Sequence, residues 1–285
     1  VVGYLFVTAL QFVGIGAVAS IAGGFNFADV LLIAGLFTIA YTAIGGIQSD
    51  IYADAISFIV IALGLVLLIP KLSLSSGYLF TSLPDRYFDP FAFAGPSFFV
   101  LSILISGVFA FIFIELWQRI FAAENLQTAR RAFIWSAVLE PLFIASAVII
   151  GLIAAVTYQG IGKNDAVFLV IRDFLPAGLS GLGVVALIAI LMSTVNSLVI
   201  VGGSALYVDI FRLRPRVEAP TPNLTWIRLF TAFFGLTALA IAYWLPDLVR
   251  LLLMGAFVML PLCPAVMWAV FAKHRSGSAA LWSIV

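Results

Sequence analysis

Read for its hydrophobic and polar positions, the chain is a series of long apolar runs separated by short polar or Gly/Pro-rich breaks. Charges, breaks and run lengths predict membrane-spanning helices at about 1–22, 30–46, 52–70, 96–117, 131–157, 178–210, 225–245 and 247–271, with a further run beginning near Ser278. A bilayer core of about 30 Å needs roughly 20 residues at 1.5 Å per helical residue, and runs near that length recur along the chain. The runs are apolar on both parities, whereas strands of a transmembrane barrel alternate over segments of about ten residues. The expected fold class is therefore all-α: a polytopic membrane helix bundle of eight complete spans plus the start of a ninth. Two loops are long enough to carry structure on the membrane surface. One is 71–95, with Pro84, Pro90 and the adjoining Pro96; in the other, 158–177, Asp165 is placed to cap a short helix through Phe174, before Pro176.

Composition agrees, since 64% of the 285 residues are hydrophobic and 9% charged, against about 25% charged in soluble domains. The formal net charge of +1, with 14 basic residues scattered through short loops, excludes a nucleic-acid-binding face. One cysteine, Cys263, and one histidine, His274, leave no disulfide framework and no cysteine or histidine metal site. Val1 lies inside an apolar run without a basic n-region, and Val285 ends partway into another; 1–285 reads as one transmembrane domain cut from a longer protein at both ends. Loops on the Val1 side of the eight-span arrangement hold nine Lys and Arg residues and those on the other side five. The Val1 side is therefore expected to be cytoplasmic, in a plasma membrane such as a bacterial inner membrane.

Ionisable groups inside a bilayer cost on the order of 2.5–3.5 kcal/mol by insertion scales, so each needs a partner or a role. Asp50 and Asp54 follow the Gly45-Gly46 pair, where the second span meets the third. Glu115 and Arg119 share a helical face at i, i+4 and read as an ion pair anchoring a helix end, with a functional role as the alternative. Glu140, before Pro141, reads either as a hydrogen-bonded packing residue or as part of a polar pathway. Asp209, at a helix C-terminus, calls for a partner such as Arg212 or Arg214. The sixth span carries Met192-Ser193-Thr194-Val195-Asn196-Ser197, with two consecutive hydroxyls. Small and hydroxyl residues mediate close helix packing in membranes. The alternative is that two hydroxyls and a carbonyl one turn earlier supply three hard oxygens suited to an alkali cation.

Three tracts in this order and spacing resemble the sodium/solute symporter family. The tract from Met192 through Gly203-Ser204-Ala205-Leu206 to Asp209-Ile210 resembles that family's eighth core helix, roughly M-S-T-x-D-S, then S-S-A-L and D-I. Tyr41-Thr42-Ala43-Ile44-Gly45-Gly46 followed by Asp54 resembles its Y-T-x-x-G-G and T-D motif. Trp117-Gln118-Arg119 through Ala122-Ala123 and Ala129-Arg130-Arg131 resembles its Q-R-x-x-A-A and A-R-R segment.

The resemblance implies the LeuT-type inverted-repeat fold, with the solute near the midplane between broken helices, and the spans here as core helices three to ten of a transporter domain. It implies a sodium site formed by the hydroxyls of Ser193 and Thr194 and the carbonyl of Ile190, and a coupling or second-ion position at Asp54 and Asn196. Asn196 stands where the family pattern has Asp, Ser57 where it has Gln, and Ile114 where it commonly has Gln, which argues for one coupling ion. Candidate solute-lining positions are Gln11, the Ser106-Gly107 interruption with Phe109, and the Pro261/Pro264 break. The function implied is sodium-coupled symport of a small polar organic solute by alternating access. Sodium is the coupling ion and no other cofactor is called for; the partners are solute, sodium and membrane lipid. The alternative is a symporter-like sensor module of a signalling protein such as a histidine kinase. An enzyme is not expected, because no nucleophile, histidine and carboxylate converge.

Overall fold

The computed structural model describes residues 1–80, 83–92, 95–158, 160, 166–211 and 223–271. All regular structure among them is helical: α1 Val2–Gly23, α2 Phe27–Phe80, a 3-10 turn Asp85–Tyr87, α3 Gly95–Ile112, α4 Ile114–Ala122, α5 Leu126–Thr157, α6 Ala166–Phe174, α7 Ala177–Ala205 continued by a π-helical turn Leu206–Phe211, α8 Leu224–Trp244, α9 Leu248–Met259 and α10 Leu262–Phe271. The all-helical reading therefore holds. Five of the described helices are long and apolar enough to cross a membrane, or six if the bent pair α9/α10 is one span, so the count of eight is not reproduced.

The differences have local causes. The expected boundary between the second and third spans falls at a kink: α2 is two helices that meet without a loop at Gly46, whose φ of 62° and ψ of −159° lie in a region essentially reserved for glycine. The expected fourth span breaks at Phe113 into α3 and α4, not at Ser106-Gly107, which lie inside unbroken α3. The Trp117 indole N–H donates to the Phe111 carbonyl at 2.9 Å, which satisfies a backbone acceptor freed by that break. The break expected at Pro261/Pro264 is present as a 46° bend between α9 and α10. The short surface helix expected before Pro176 is α6; its proposed cap Asp165, the Arg212 and Arg214 partners of Asp209, and the run from Ser278 lie outside the described residues. Glu140 is exposed on α5.

Where helices start, polar side chains take up the first amides. Asn26 Oδ1 accepts from the Ala28 and Asp29 amides at 2.8 and 3.4 Å, Asn125 Oδ1 from Thr128 N at 2.8 Å, Asn223 Oδ1 from Thr225 N at 2.9 Å, and Asp247 Oδ1 from Arg250 N at 2.9 Å. Such caps answer the orphan N–H groups that a helix beginning beside lipid cannot leave dry. Beyond α5, the Tyr158 hydroxyl lies 3.0 Å from the Leu169 carbonyl and 2.6 Å from Asp173 Oδ2, tying α6 to the end of α5. Desolvation and the Asp173 carboxylate push the Tyr158 phenol up to about 12, while the Arg172 guanidinium, 2.6 Å away, holds Asp173 below the usual carboxylate range.

Contacts group the chain into two compact units, Val1–Gly77 with Ala145–Gly255, and Tyr78–Ile144 with Ala256–Val285. In the second, α10 packs on α3, where the Phe111 and Phe271 rings meet edge to face at 5.8 Å. In the first, α1, α7 and α8 pack against one another around Phe12, Val195, Val199, Phe234 and Ala238. The α7–α8 contact depends on glycine: a Cβ on Gly203 would stand 2.4 Å from the Thr231 Cα and 2.6 Å from its nitrogen. The obstacle is backbone, which cannot rotate away, so the small residues of the Gly202-Gly203-Ser204 tract serve packing here. Gly203→Ala is expected to lower the unfolding temperature of the purified protein, by an overpacking cost of about 1–3 kcal/mol or more. Gly107→Ala, with nothing within 4 Å of its added carbon, is expected to be neutral or mildly stabilising in the same assay.

Candidate functional site

Hydroxyls in membrane helices ordinarily bond back to the carbonyl one turn earlier, since that acceptor is always within reach. Thr8, Thr38 and Thr237 do this to Tyr4, Ala34 and Phe233 at 2.7, 2.7 and 2.9 Å. Thr194 follows the same habit, donating to the Ile190 carbonyl at 3.0 Å. Ser193 and Ser197 behave differently: the Ser193 hydroxyl donates to Asp54 Oδ1 at 2.5 Å and the Ser197 hydroxyl to Asp50 Oδ2 at 3.0 Å. Both cross from α7 to α2.

The spacing explains the arrangement. Asp50 and Asp54 are four residues apart beyond the Gly46 break, and Ser193 and Ser197 are four apart on α7, so each pair lies along one helical face. Two carboxylates thus meet two hydroxyls in a ladder between the helices. On the other side of Gly46, the Thr42 hydroxyl donates to Asn196 Oδ1 at 2.8 Å and the Tyr41 hydroxyl donates to the same oxygen. Asn196 is 1% exposed and its Nδ2 has no acceptor among the described residues. Asp50 is 5% exposed, Asp54 and Ser193 are half-buried, and Ile190 is exposed.

Charge balance sharpens the picture. Residues 1–70 and 173–211, which supply α1, this part of α2 and α7, contain no Lys, Arg or His. The carboxylates therefore sit between segments with no positive side chain of their own. A cation from solution would find one or two carboxylates, hydroxyl oxygens whose protons point elsewhere, and the Ile190 carbonyl, which is a hard-oxygen donor set suited to an alkali ion. Among the described residues no group of three or more Asp, Glu, His or Cys is placed to hold a metal ion.

Of the positions read from the sequence, Asp54, Ser193, Thr194, Ile190 and Asn196 are thus gathered on the facing sides of α2 and α7 or within one turn of them. Gln11 lies half-buried midway along α1, and Ser106 and Gly107 are exposed on α3 in the other unit; the Phe109 side chain lies outside the described residues. The sequence reading did not assign Asp50, Ser197, Tyr41 or Thr42 to the site. The signal was available as two i, i+4 stripes, acidic on one segment and hydroxyl on the other, but its meaning depends on the two segments being neighbours. Because Tyr41 and Thr42 donate to one buried oxygen, Tyr41→Phe and Thr42→Val are each expected to cost about 0.5–1.5 kcal/mol. The double variant is expected to exceed their sum, because only it strands the Asn196 carbonyl at a cost of about 1–3 kcal/mol. A double-mutant cycle on thermal unfolding reads this directly.

No family model matches the chain. Among curated proteins it is similar to the high affinity choline transporter 1 of Homo sapiens, 26% identical over 261 residues, covering 84% of this chain and 45% of that protein. The corresponding choline transporter of Torpedo marmorata is 24% identical over 260 residues, covering 84% and 44%. The chain thus spans somewhat under half the length of these relatives, which are transporters and not enzymes. Among solved structures, that of a Na⁺-coupled sialic acid symporter in a substrate-bound outward-open state superimposes with a TM-score of 0.69 over 99% of this chain and 72% of that one, at 18% identity.

Proposed function

Since the chain is related to the sodium/solute symporters and shares their LeuT-type fold, as a multi-pass membrane protein, we propose that it belongs to a sodium-coupled symporter of a small polar organic solute working by alternating access. The observation that carries the reading is the crossing of Ser193 to Asp54 between two segments, residues 27–70 of α2 and α7, that contain no basic residue. A hydroxyl engaged in packing alone would return to its own helix, as Thr8, Thr38 and Thr237 do. Ser193 instead donates to a carboxylate on the facing helix, while its neighbour Thr194 donates to the Ile190 carbonyl; both hydroxyl oxygens keep their lone pairs for a cation, and Ser193 places one of them beside a negative charge.

In this reading sodium binds at the Ser193 and Thr194 hydroxyls and the Ile190 carbonyl, with Asp54 lending charge from α2. The ion offsets the negative charge at the interface and draws α2 and α7 together; its departure on the low-sodium side loosens them. Each Na⁺ moving inward supplies about 2.3 kcal/mol per 100 mV, enough for roughly fiftyfold accumulation of solute before the concentration term is counted. Asn196 brings no charge to a second ion, and its oxygen already takes two hydroxyls. One sodium per solute is the stoichiometry this favours. Gln11, Ser106, Gly107, Phe109 and the α9/α10 bend are the proposed solute-lining positions. The two choline transporters and the sialic acid symporter lend the sensor reading no support.

Solute uptake by the complete protein, screened over choline-like and other small polar solutes with and without sodium, tests the proposal. Ser193→Ala and Thr194→Ala are expected to raise the sodium concentration for half-maximal uptake, each by the roughly 1–3 kcal/mol of one lost ligand, and the wild-type Hill coefficient for sodium is expected near one. Unchanged sodium dependence in both variants would show that the ion binds elsewhere.

We further propose that the Val1 side faces the cytoplasm of a bacterial cell. Cysteines placed at Asn125, the exposed cap of α5, and at Asn26, between α1 and α2, in a Cys263→Ser background should then differ. An impermeant thiol reagent added to intact cells is expected to label the second and spare the first; the reverse pattern inverts the orientation.

A further inference from the structure

Asp29 is a charge of the first unit that the fold leaves unanswered. It sits in the first turn of α2, exposed, with no ion pair to any described residue, and residues 1–70 hold no Lys, Arg or His. It stands at the rim of a groove of about 520 Å³ between the end of α1 and the first turns of α2, whose walls include Ala19, Phe25, Ile33 and Phe37 and whose polar members are Asn26 and Asp29. That volume falls within the roughly 300–1,000 Å³ typical of ligand sites. The aromatic and aliphatic walls are open: Phe25 is 67%, Ile33 71% and Phe37 63% exposed. Asn26 spends its carbonyl oxygen capping α2, so the Asp29 carboxylate is the charged group the groove offers.

The groove therefore pairs a long apolar wall with one negative charge, and it begins where a membrane-spanning stretch begins, Phe27–Gln48. An occupant must bring an apolar chain and a cation at headgroup depth. We propose that this groove holds one phosphatidylethanolamine, its acyl chain along Ile33 and Phe37 and its ammonium on Asp29. A primary ammonium donates charge-assisted N–H···O bonds to a carboxylate; a choline headgroup has the charge without the donors, and phosphatidylglycerol has hydroxyl donors but no cation and a net negative charge that the carboxylate repels. Binding is thus ordered ethanolamine over choline over glycerol headgroups.

The complete protein, reconstituted in nanodiscs containing equal parts of the three phospholipids and then released into mild detergent, reports its retained lipid by native mass spectrometry. Wild type is expected to keep phosphatidylethanolamine about tenfold over phosphatidylglycerol, the factor that one charge-assisted bond supplies. Asp29→Asn should lose that enrichment and Asp29→Glu retain it. A filling variant, Ala34→Phe, should lower retained lipid of every headgroup, and elution as a single monodisperse species shows that each variant is folded. Equal retention of the three lipids, an enrichment that survives Asp29→Asn, or no retained lipid at all, as when another protein segment covers the groove, would each overturn the proposal. None of these outcomes depends on sodium coupling or on uptake.

Discussion

A carboxylate within a membrane bundle must have its charge held by something, and that constraint organises the first unit of this protein. Asp50 and Asp54 have no lysine, arginine or histidine in residues 1–70, which carry them, or in residues 173–211, which form the facing helix. Serines 193 and 197 of α7 turn outward to meet them, against the habit of membrane hydroxyls. To bring the serines within reach, α7 must lie close to α2, and its other face must fit α1 and α8. The glycines at 202 and 203 permit the second requirement by letting the Thr231 backbone and the Phe234 ring approach where any side chain would stand. Polar satisfaction on one side of α7 and close apolar packing on the other are thus two halves of one solution.

The same geometry separates two roles that look alike in the sequence. Ser193 and Thr194 are neighbours with interchangeable chemistry, yet one bonds across the interface and the other bonds back to Ile190. A hydroxyl that bonds back presents its oxygen beside a carbonyl oxygen of its own helix, while one that bonds across presents it beside a carboxylate. Together they place hydroxyl and carbonyl oxygens of α7 beside a carboxylate of α2, a donor set graded from neutral to charged.

Much of the helical content was legible because apolar run length is a direct statement about lipid. Helix continuity was not. The Gly45-Gly46 pair followed by polar residues marked a true boundary, since α2 is two helices that meet across a kink at Gly46; that they join without a loop, through one residue in a glycine-only conformation, left no mark. The break at Phe113 left no mark either, since phenylalanine is as apolar as its neighbours and the compensation comes from an indole N–H four residues on. By contrast, the bend at Pro261 and the short helix before Pro176 were marked by residues whose backbone chemistry forces the outcome. In the site, Ser193, Thr194, Asp54 and Asn196 were visible through a motif. Asp50 and the Tyr41/Thr42 clasp were not, because a periodic stripe gains meaning only when its opposing stripe is known.

Gly46 also sets the angular phase of α2. On an unbroken helix at 100° per residue, the nine steps from Tyr41 to Asp50 amount to half a turn, and the two side chains would point to opposite sides. Here both reach α7, one through Asn196 and the other through Ser197. The single aberrant residue works as a clutch between two rotors: it lets the upper and lower parts of α2 be turned independently until each presents its polar edge to the same partner. Inserting one residue after Gly46 would advance the lower rotor by about 100° and swing both aspartates off α7 while leaving the clasp on Asn196 in place. The distance between Gly46 and Asp50, more than the identity of the residues between them, is therefore what the sequence must keep.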